Sequence, residues 1–272
     1  MKQAMIFAAG LGTRLKPLTD TMPKALVRVG GQPLLWHVVQ KLKAAGYERI
    51  VVNVHHFAQQ IVDYLRENGN FGLDIRISDE TEQLLETGGG IKKALPLFDP
   101  EEPILIHNVD ILSNLSLPLT SLPPTPSDWR GSAEAVEASP SRGWMEGAVA
   151  LLIVSQRKTK RYLQFDDDMR LIGWKNIETG EVKGPIANTQ QPTANSQHPS
   201  PITQLAFSGL HVLYPSAFPL LADWPERFPI MDFYLKHCAD HVIRGYEAPN
   251  LRLLDVGKLD TLEAAEQFLQ EL

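Results

Sequence analysis

The chain predicts an α/β fold built on a doubly wound, mostly parallel sheet. Short, nearly unbroken apolar runs read as strands covered on both faces. Amphipathic stretches of helical period alternate with them, and the turns between are short. The 272 residues suffice for a single domain spanning 1–272, closed by a helix over 258–272.

Taken in order, Ala4-Met5-Ile6-Phe7 reads as the first buried strand. Ala25–Val29 reads as a short strand ending at Gly30-Gly31, and Gln32-Pro33 opens a helix with Pro at an early position, where its missing N–H costs nothing. Leu34, Leu35, Val38, Val39 and Leu42 share one face of that helix, and Gly46 ends it. Ile50–Val54 is a β-branched strand, 57–67 an amphipathic helix and 73–78 the next strand. Ile104–Asp110 is a buried strand ending on a carboxylate, the end at which open α/β sheets hold ligands.

Five prolines break the pattern between Leu117 and Gly147. The strand reading resumes at 147–155. Tyr162–Phe165 and Leu171–Trp174 flank Asp166-Asp167-Asp168 as a hairpin, with a solvated acidic tip. Residues 185–204, rich in Pro, Asn, Thr, Gln and Ser, read as a mobile loop. It acts either as a flap over a ligand or as a surface insertion. Leu205–Leu213 is a strand, 231–241 a helix and Leu251–Asp255 a last strand ending on a second lone Asp. The final helix starts near Asp260, with Glu263 as a capping partner and Leu262, Ala265, Phe268, Leu269 and Leu272 as its apolar stripe.

Composition excludes several classes. No apolar run is long enough for a membrane helix, and the first residues lack a signal-peptide layout, so the cytoplasm is the expected compartment. A single cysteine, Cys238, forbids an internal disulfide or a cysteine-rich zinc site and reads as core packing. A net charge of −6 argues against general nucleic-acid binding. Yet Lys2, Arg14, Lys16, Lys24 and Arg28 face only Asp20 within residues 1–30, which suits a small polyanion. His55 and His56 point to opposite faces of a strand end and cannot easily share a metal.

The most informative stretch is Ala8-Ala9-Gly10-Leu11-Gly12-Thr13-Arg14-Leu15, continuing to Pro23-Lys24. Small residues after a strand let several backbone N–H groups converge on one phosphate, with Arg14 and Lys24 as flanking cations. A dinucleotide fingerprint would need glycine where Leu15 stands, and a P-loop would need Lys-Ser/Thr after Gly12. A tight turn without a ligand is the remaining bland reading.

The wider string, Ala-Ala-Gly-x-Gly-Thr-Arg-Leu-x-Pro-Leu-Thr with Pro-Lys-Ala-Leu-Val after it, resembles the signature of the sugar-phosphate nucleotidyltransferases. The resemblance covers nearly the whole chain and is thin at 118–146 and 178–204. It implies a Rossmann-like nucleotide-diphospho-sugar transferase fold, here without the hexapeptide repeats of a C-terminal β-helix. A nucleotide-binding half would span about 1–115 and a sugar-binding half about 147–257. It implies nucleotide contacts from Ala8, Ala9, Gly10, Gly12 and Thr13, with Arg14 and Lys24 as the catalytic cations.

Leu85-Glu86-Thr87-Gly88-Gly89-Gly90 is similar to the base-contacting segment of the N-acetylmuramate-1-phosphate uridylyltransferase branch, which assigns Glu86, Thr87, Gly88 and Gly89 to the nucleotide. Asp110 and Asp255 are similar to the family's two metal-binding aspartates and would hold Mg2+. Val109 stands where relatives more usually carry glycine. Asn108, Ser208, Gly209 and Lys175 are carried over to the sugar side, and Arg157, Lys158, Lys160 and Arg161 form a basic cluster that also suits a sugar phosphate.

The implied partners are a nucleoside triphosphate and a sugar 1-phosphate, with no nucleic acid or membrane, for a monomer or small homo-oligomer. UTP with N-acetylmuramate 1-phosphate comes first, GTP with mannose 1-phosphate second and CTP with phosphocholine third. A non-catalytic nucleotide-sugar sensor is the rival of another class. It would be expected to have lost Arg14, Lys24 or an aspartate, and all are present.

Overall fold

The structure, a computed structural model, describes residues 1–117, 145–189, 202–248 and 250–272. In its first part strands and helices alternate. β1 (Gln3–Phe7) leads into the glycine loop, and a small ribbon of β2 (Arg28–Val29) and β3 (Gln32–Pro33) follows. α1 (Leu34–Ala44) buries the five apolar residues read from its sequence. β4 (Arg49–Val54), α2 (Ala58–Glu67), β5 (Asp74–Asp79), α3 (Glu86–Ala94), β6 (Ile104–Asn108) and β7 (Ile111–Ser113) complete this part.

The second part opens with β8 (Ala148–Ser155) and the hairpin of β9 (Arg161–Phe165) and β10 (Leu171–Asn176), extended by β11 (Val182–Lys183). β12 (Thr203–Leu213), α4 (Ala217–Ala222), α5 (Ile230–His237), β13 (Val242–Glu247), β14 (Leu253–Asp255) and α6 (Leu262–Gln270) follow.

Ten strands form one sheet, ordered β11-β10-β9-β12-β6-β1-β4-β5, with β8 pairing both β12 and β13. β6, β1, β4 and β5 are parallel neighbours, and the apolar runs of β1, β4 and β6 suit strands covered on both faces. Ala4, Met5, Ile6, Ile50, Val51 and Val52 have no exposed surface. At β12 the sheet turns antiparallel and stays so through β9, β10 and β11. The α/β class with a parallel central block is what forms. β14 lies outside this sheet, paired antiparallel with β7 so that Asp255 faces Ile111.

Several boundaries differ from the sequence reading. Pro33 is extended, so Gln32-Pro33 belong to a ribbon and the helix begins at Leu34. β6 stops at Asn108, and Val109-Asp110 make the turn into β7. α5 ends at His237, and the unforeseen β13 follows it. α4 was not foreseen either. α6 begins at Leu262 after a single 3-10 turn, and Leu272 is 55% exposed, outside the apolar stripe. Within the expected loop 185–204, Pro185–Thr189 is a short 3-10 helix and β12 starts at Thr203. The remainder of that loop, and 118–144, lie outside the described residues. Cys238 is buried, as expected. Among the described residues no helix is long and apolar enough to cross a membrane.

Candidate active site

A cavity of about 460 Å³ opens at the C-terminal ends of β1 and β6. Its wall includes Ala8, Ala9, Gly10, Gly12, Thr13, Arg14, Lys24, Glu86, Thr87, Asn108 and Asp110, all singled out by sequence. It also includes Asn53, Glu80 and Gly257, which sequence reasoning missed.

Asn53 and Glu80 explain how the glycine loop is held. Asn53 Oδ1 accepts from the backbone N–H of Ala8 at 2.7 Å and of Ala9 at 3.3 Å. Asn53 Nδ2 donates to Glu80 Oε1 at 2.7 Å, and Glu80 Oε2 accepts from Leu85 N at 3.1 Å. Both side chains are almost completely buried, so each hydrogen bond offsets a desolvation cost that would otherwise stand. The amides of Ala8 and Ala9 are therefore engaged by the protein. A lone amide within the run Ile50–Val54 was the visible signal for Asn53; Glu80, in an acidic turn, gave none.

At one end of the cavity four charged side chains converge. Lys24 is nearly buried and its ammonium makes a short ion pair with Asp110. The Asp110 carbonyl accepts from Val256 N at 2.8 Å, which ties the turn to the residue after Asp255. A Cβ placed on Gly257 would lie 2.7 Å from Asp255 Oδ1 and 2.8 Å from Arg14 Nη2, so this glycine leaves room for both. Asp255 reaches solvent at the rim, yet crowding by protein on one side holds its carboxyl above the usual range, and the neighbouring Asp110 charge adds to this. Lys24, Arg14 and Arg157 oppose the shift. Val109 is buried and its N–H donates to Phe7 O at 3.1 Å, so the branched side chain fits the core.

The second glycine cluster is divided between the cavity and the neighbouring chain. Glu86 and Thr87 line the cavity, with Glu86 paired to Arg227 at 3.1 Å and Thr87 Oγ1 accepting from Ile230 N at 2.9 Å. Gly88 and Gly89 face away from it. Their N–H groups donate to Phe228 O, and a side chain would overlap the Phe228 ring at Gly88 and the Glu226 carbonyl at Gly89. These glycines admit another part of the chain, the Phe228 ring and the Glu226 carbonyl.

On the sugar side, β12 carries a bulge between Phe207 and His211. Gly209 sits there at φ +80°, so close to Asn108 that a Cβ would lie 2.7 Å from its Nδ2. Ser208 turns inward instead, its hydroxyl donating to Ile153 O at 2.7 Å. Lys175 lies on β10 opposite Val182 and Tyr162, away from the cavity wall. Of the basic cluster, Lys160 pairs with Glu178 at 2.7 Å, while Arg157 donates to Phe207 O at 2.9 Å. His55 Nδ1 lies 2.7 Å from Glu80 O, and its neighbour His56 packs on the Phe57 ring.

A parallel block with a glycine loop, cations and paired carboxylates at its strand ends defines a nucleotide-handling transferase of the α/β class. The family model described as nucleotidyl transferase matches residues 3–120. N-acetylmuramate alpha-1-phosphate uridylyltransferase of Caulobacter vibrioides is 34% identical over 99% of this chain and 98% of that protein. The protein of the same name from Neisseria meningitidis serogroup B is 46% identical over 42% of this chain and 48% of that protein. Among solved structures, UDP-glucose pyrophosphorylase complexed with UDP-glucose superposes with a TM-score of 0.69 at 16% identity, covering 100% of both chains. The chain belongs to the nucleotidyl transferase family and is an enzyme of that kind.

Proposed function

We propose that the protein transfers the uridylyl group of UTP to N-acetylmuramate 1-phosphate and releases pyrophosphate. The observation that carries the reaction type is the convergence of Arg14, Lys24, Asp110 and Asp255 at the end of the cavity below the glycine loop. The full-length correspondence with the Caulobacter uridylyltransferase supports the choice of substrates.

An oxygen of the acceptor phosphate attacks the α-phosphorus of the donor. The new P–O bond forms as the bond to the bridging oxygen breaks, and pyrophosphate leaves with that electron pair. Repulsion between the two anions is the main obstacle, so positioning and positive charge carry the catalysis. The loop from Gly10 to Thr13 faces the donor, with Glu86 and Thr87 on the base side. Arg14 and Lys24 lie against phosphate oxygens. Asn108 and the backbone at Gly209 bound the space for the sugar ring.

The site also suits Mg2+. Asp110 and Asp255 are near neighbours: β14 pairs with β7 so that Asp255 faces Ile111, the residue after Asp110, and Val256 N donates to Asp110 O. Two carboxylates completed by phosphate oxygens and water match the preference of this ion. When bound, Mg2+ supplies neutralisation of phosphate charge.

A panel of nucleoside triphosphates against several sugar 1-phosphates, read by pyrophosphate release with and without Mg2+, tests the proposal. UTP with N-acetylmuramate 1-phosphate should give the highest kcat/KM. A higher value for GTP with mannose 1-phosphate would move the assignment to that activity, and no release with any pair would leave the sensor reading.

A further inference from the structure

Arg157 follows directly on β8, and its place in the fold suits more than a solvated surface charge. Its Nη2 donates to Phe207 O at 2.9 Å, on the strand that carries the Gly209 bulge. A second cavity of about 530 Å³ opens beside it, lined also by Ser155, Glu247, Asn250, Arg252 and Phe268.

The other guanidinium there is already committed. Arg252 pairs with Glu271 and stands 5.3 Å over the Phe268 ring. Arg157 holds one backbone carbonyl and, among the described residues, no carboxylate. A guanidinium has five N–H donors arranged to take a carboxylate with two parallel bonds, so most of that capacity is open to a ligand.

The acceptor chemistry gives it one. With the sugar ring bounded by Asn108 and Gly209 as proposed above, a ring substituent that reaches along β12 past the bulge comes to Phe207, whose carbonyl Arg157 holds. Glucose and mannose 1-phosphates have only hydroxyls to offer there. N-acetylmuramate carries a lactyl ether that ends in a carboxylate, a second anion distinct from the phosphate. Glu247 adds an acceptor for a sugar hydroxyl or the acetamido N–H.

We propose that Arg157 binds the lactyl carboxylate of the acceptor, so that this corner is the subsite separating N-acetylmuramate 1-phosphate from sugar phosphates that lack a carboxylate. The proposal rests on the N-acetylmuramate reading given above.

The test compares two acceptors, N-acetylmuramate 1-phosphate and its lactyl amide, with wild type, Arg157→Gln and Arg157→Lys. Wild type should show a KM for the amide raised about tenfold or more, the scale of a charge-assisted hydrogen-bonded pair. In Arg157→Gln the KM for the carboxylate should rise to match the amide, bringing their ratio close to one. Arg157→Lys should retain part of the ratio, and thermal melting should show all three proteins folded alike. Equal weakening of both acceptors by Arg157→Gln would assign the residue to the phosphate and overturn the proposal. So would a wild-type ratio of one, or a ratio that the substitution leaves intact. A wild type that turns over neither acceptor with UTP, yet works on another sugar 1-phosphate, would sink the N-acetylmuramate reading and this subsite together. That outcome is distinct from each of the others.

Discussion

The parallel and antiparallel halves of the sheet hold their functional residues by different means. In the parallel half, buried polar side chains do it: Asn53 and Glu80 fix the start of the glycine loop, and Lys24 meets Asp110 below it. In the antiparallel half the main chain does it. The β12 bulge presents backbone at Gly209, while Ser208 and His211 turn their polar atoms inward, to Ile153 O and to the Tyr234 hydroxyl. The first half therefore positions its charged and polar groups through side chains, and the second shapes the surroundings of Asn108 through strand geometry.

The sharpest way to break this contrast is at the carboxylate pair, Asp110 after the parallel strand β6 and Asp255 on β14 outside the sheet. Asp110→Asn and Asp255→Asn should each slow turnover by several kcal/mol, on the order of 10³-fold or more, with little change in melting temperature. Pyrophosphate release at saturating substrates measures this, and wild-type turnover in both variants would remove the metal assignment. Next in size are the cations of the parallel half. Arg14→Ala and Lys24→Ala should each cost about 2–4 kcal/mol in kcat/KM, the range for one preorganised charge-stabilising donor. A near-normal rate for Arg14→Ala would mean that the loop serves another ligand.

The polar buttress should behave as structure and site at once. Asn53→Leu leaves the Ala8 and Ala9 amides and Glu80 without their partner in a dry interior. It should cost about 2–3 kcal/mol of stability and raise the KM for the nucleotide. Loss of activity with an unchanged melting temperature would contradict the buttress role. Smaller again is Gly88→Ala, where overlap with the Phe228 ring should cost about 1–3 kcal/mol. Phe228→Leu in the same chain should recover part of that. Failure to recover would point instead to the N–H groups that bond Phe228 O.

The seam between the halves gives the most graded effect. His107 on β6 and His211 on β12 are fully buried, and burial pushes their imidazoles down from 6.5 to about 4 and about 3. The unfolded chain takes up protons below about pH 6.5 that the folded chain refuses. Stability should therefore fall as pH drops from about 6.5 towards 4, by up to about 1.4 kcal/mol per pH unit for each histidine. Denaturant titrations across this range should show the slope, and His211→Gln should remove one proton's share of it.

The halves also differ in how far the sequence showed them. β1, β4 and β6 were legible because each is a dense β-branched or apolar run, and Arg14, Lys24 and Asp110 were legible because charges stand out beside such runs. β13 was not, since Arg244 and Gly245 interrupt its apolar residues, and α4 is a six-residue helix with Pro219 inside it. Gly88 and Gly89 were visible as unusual residues, but their reason lies at Glu226 and Phe228, far along the chain. A partner across such a distance leaves no local pattern. Glu80 belongs to the same class: an acid in a turn looks solvated until the fold covers it.

The two-stranded pairing of β7 with β14 has a consequence for the order of assembly. Asp110 emerges from the ribosome well before Asp255, which lies 145 residues further along the chain. Chains fold largely from the N-terminus as they are made. The glycine loop and its Asn53–Glu80 support can thus form before β14 is translated, so one wall of the cavity can be in place before the two carboxylates meet.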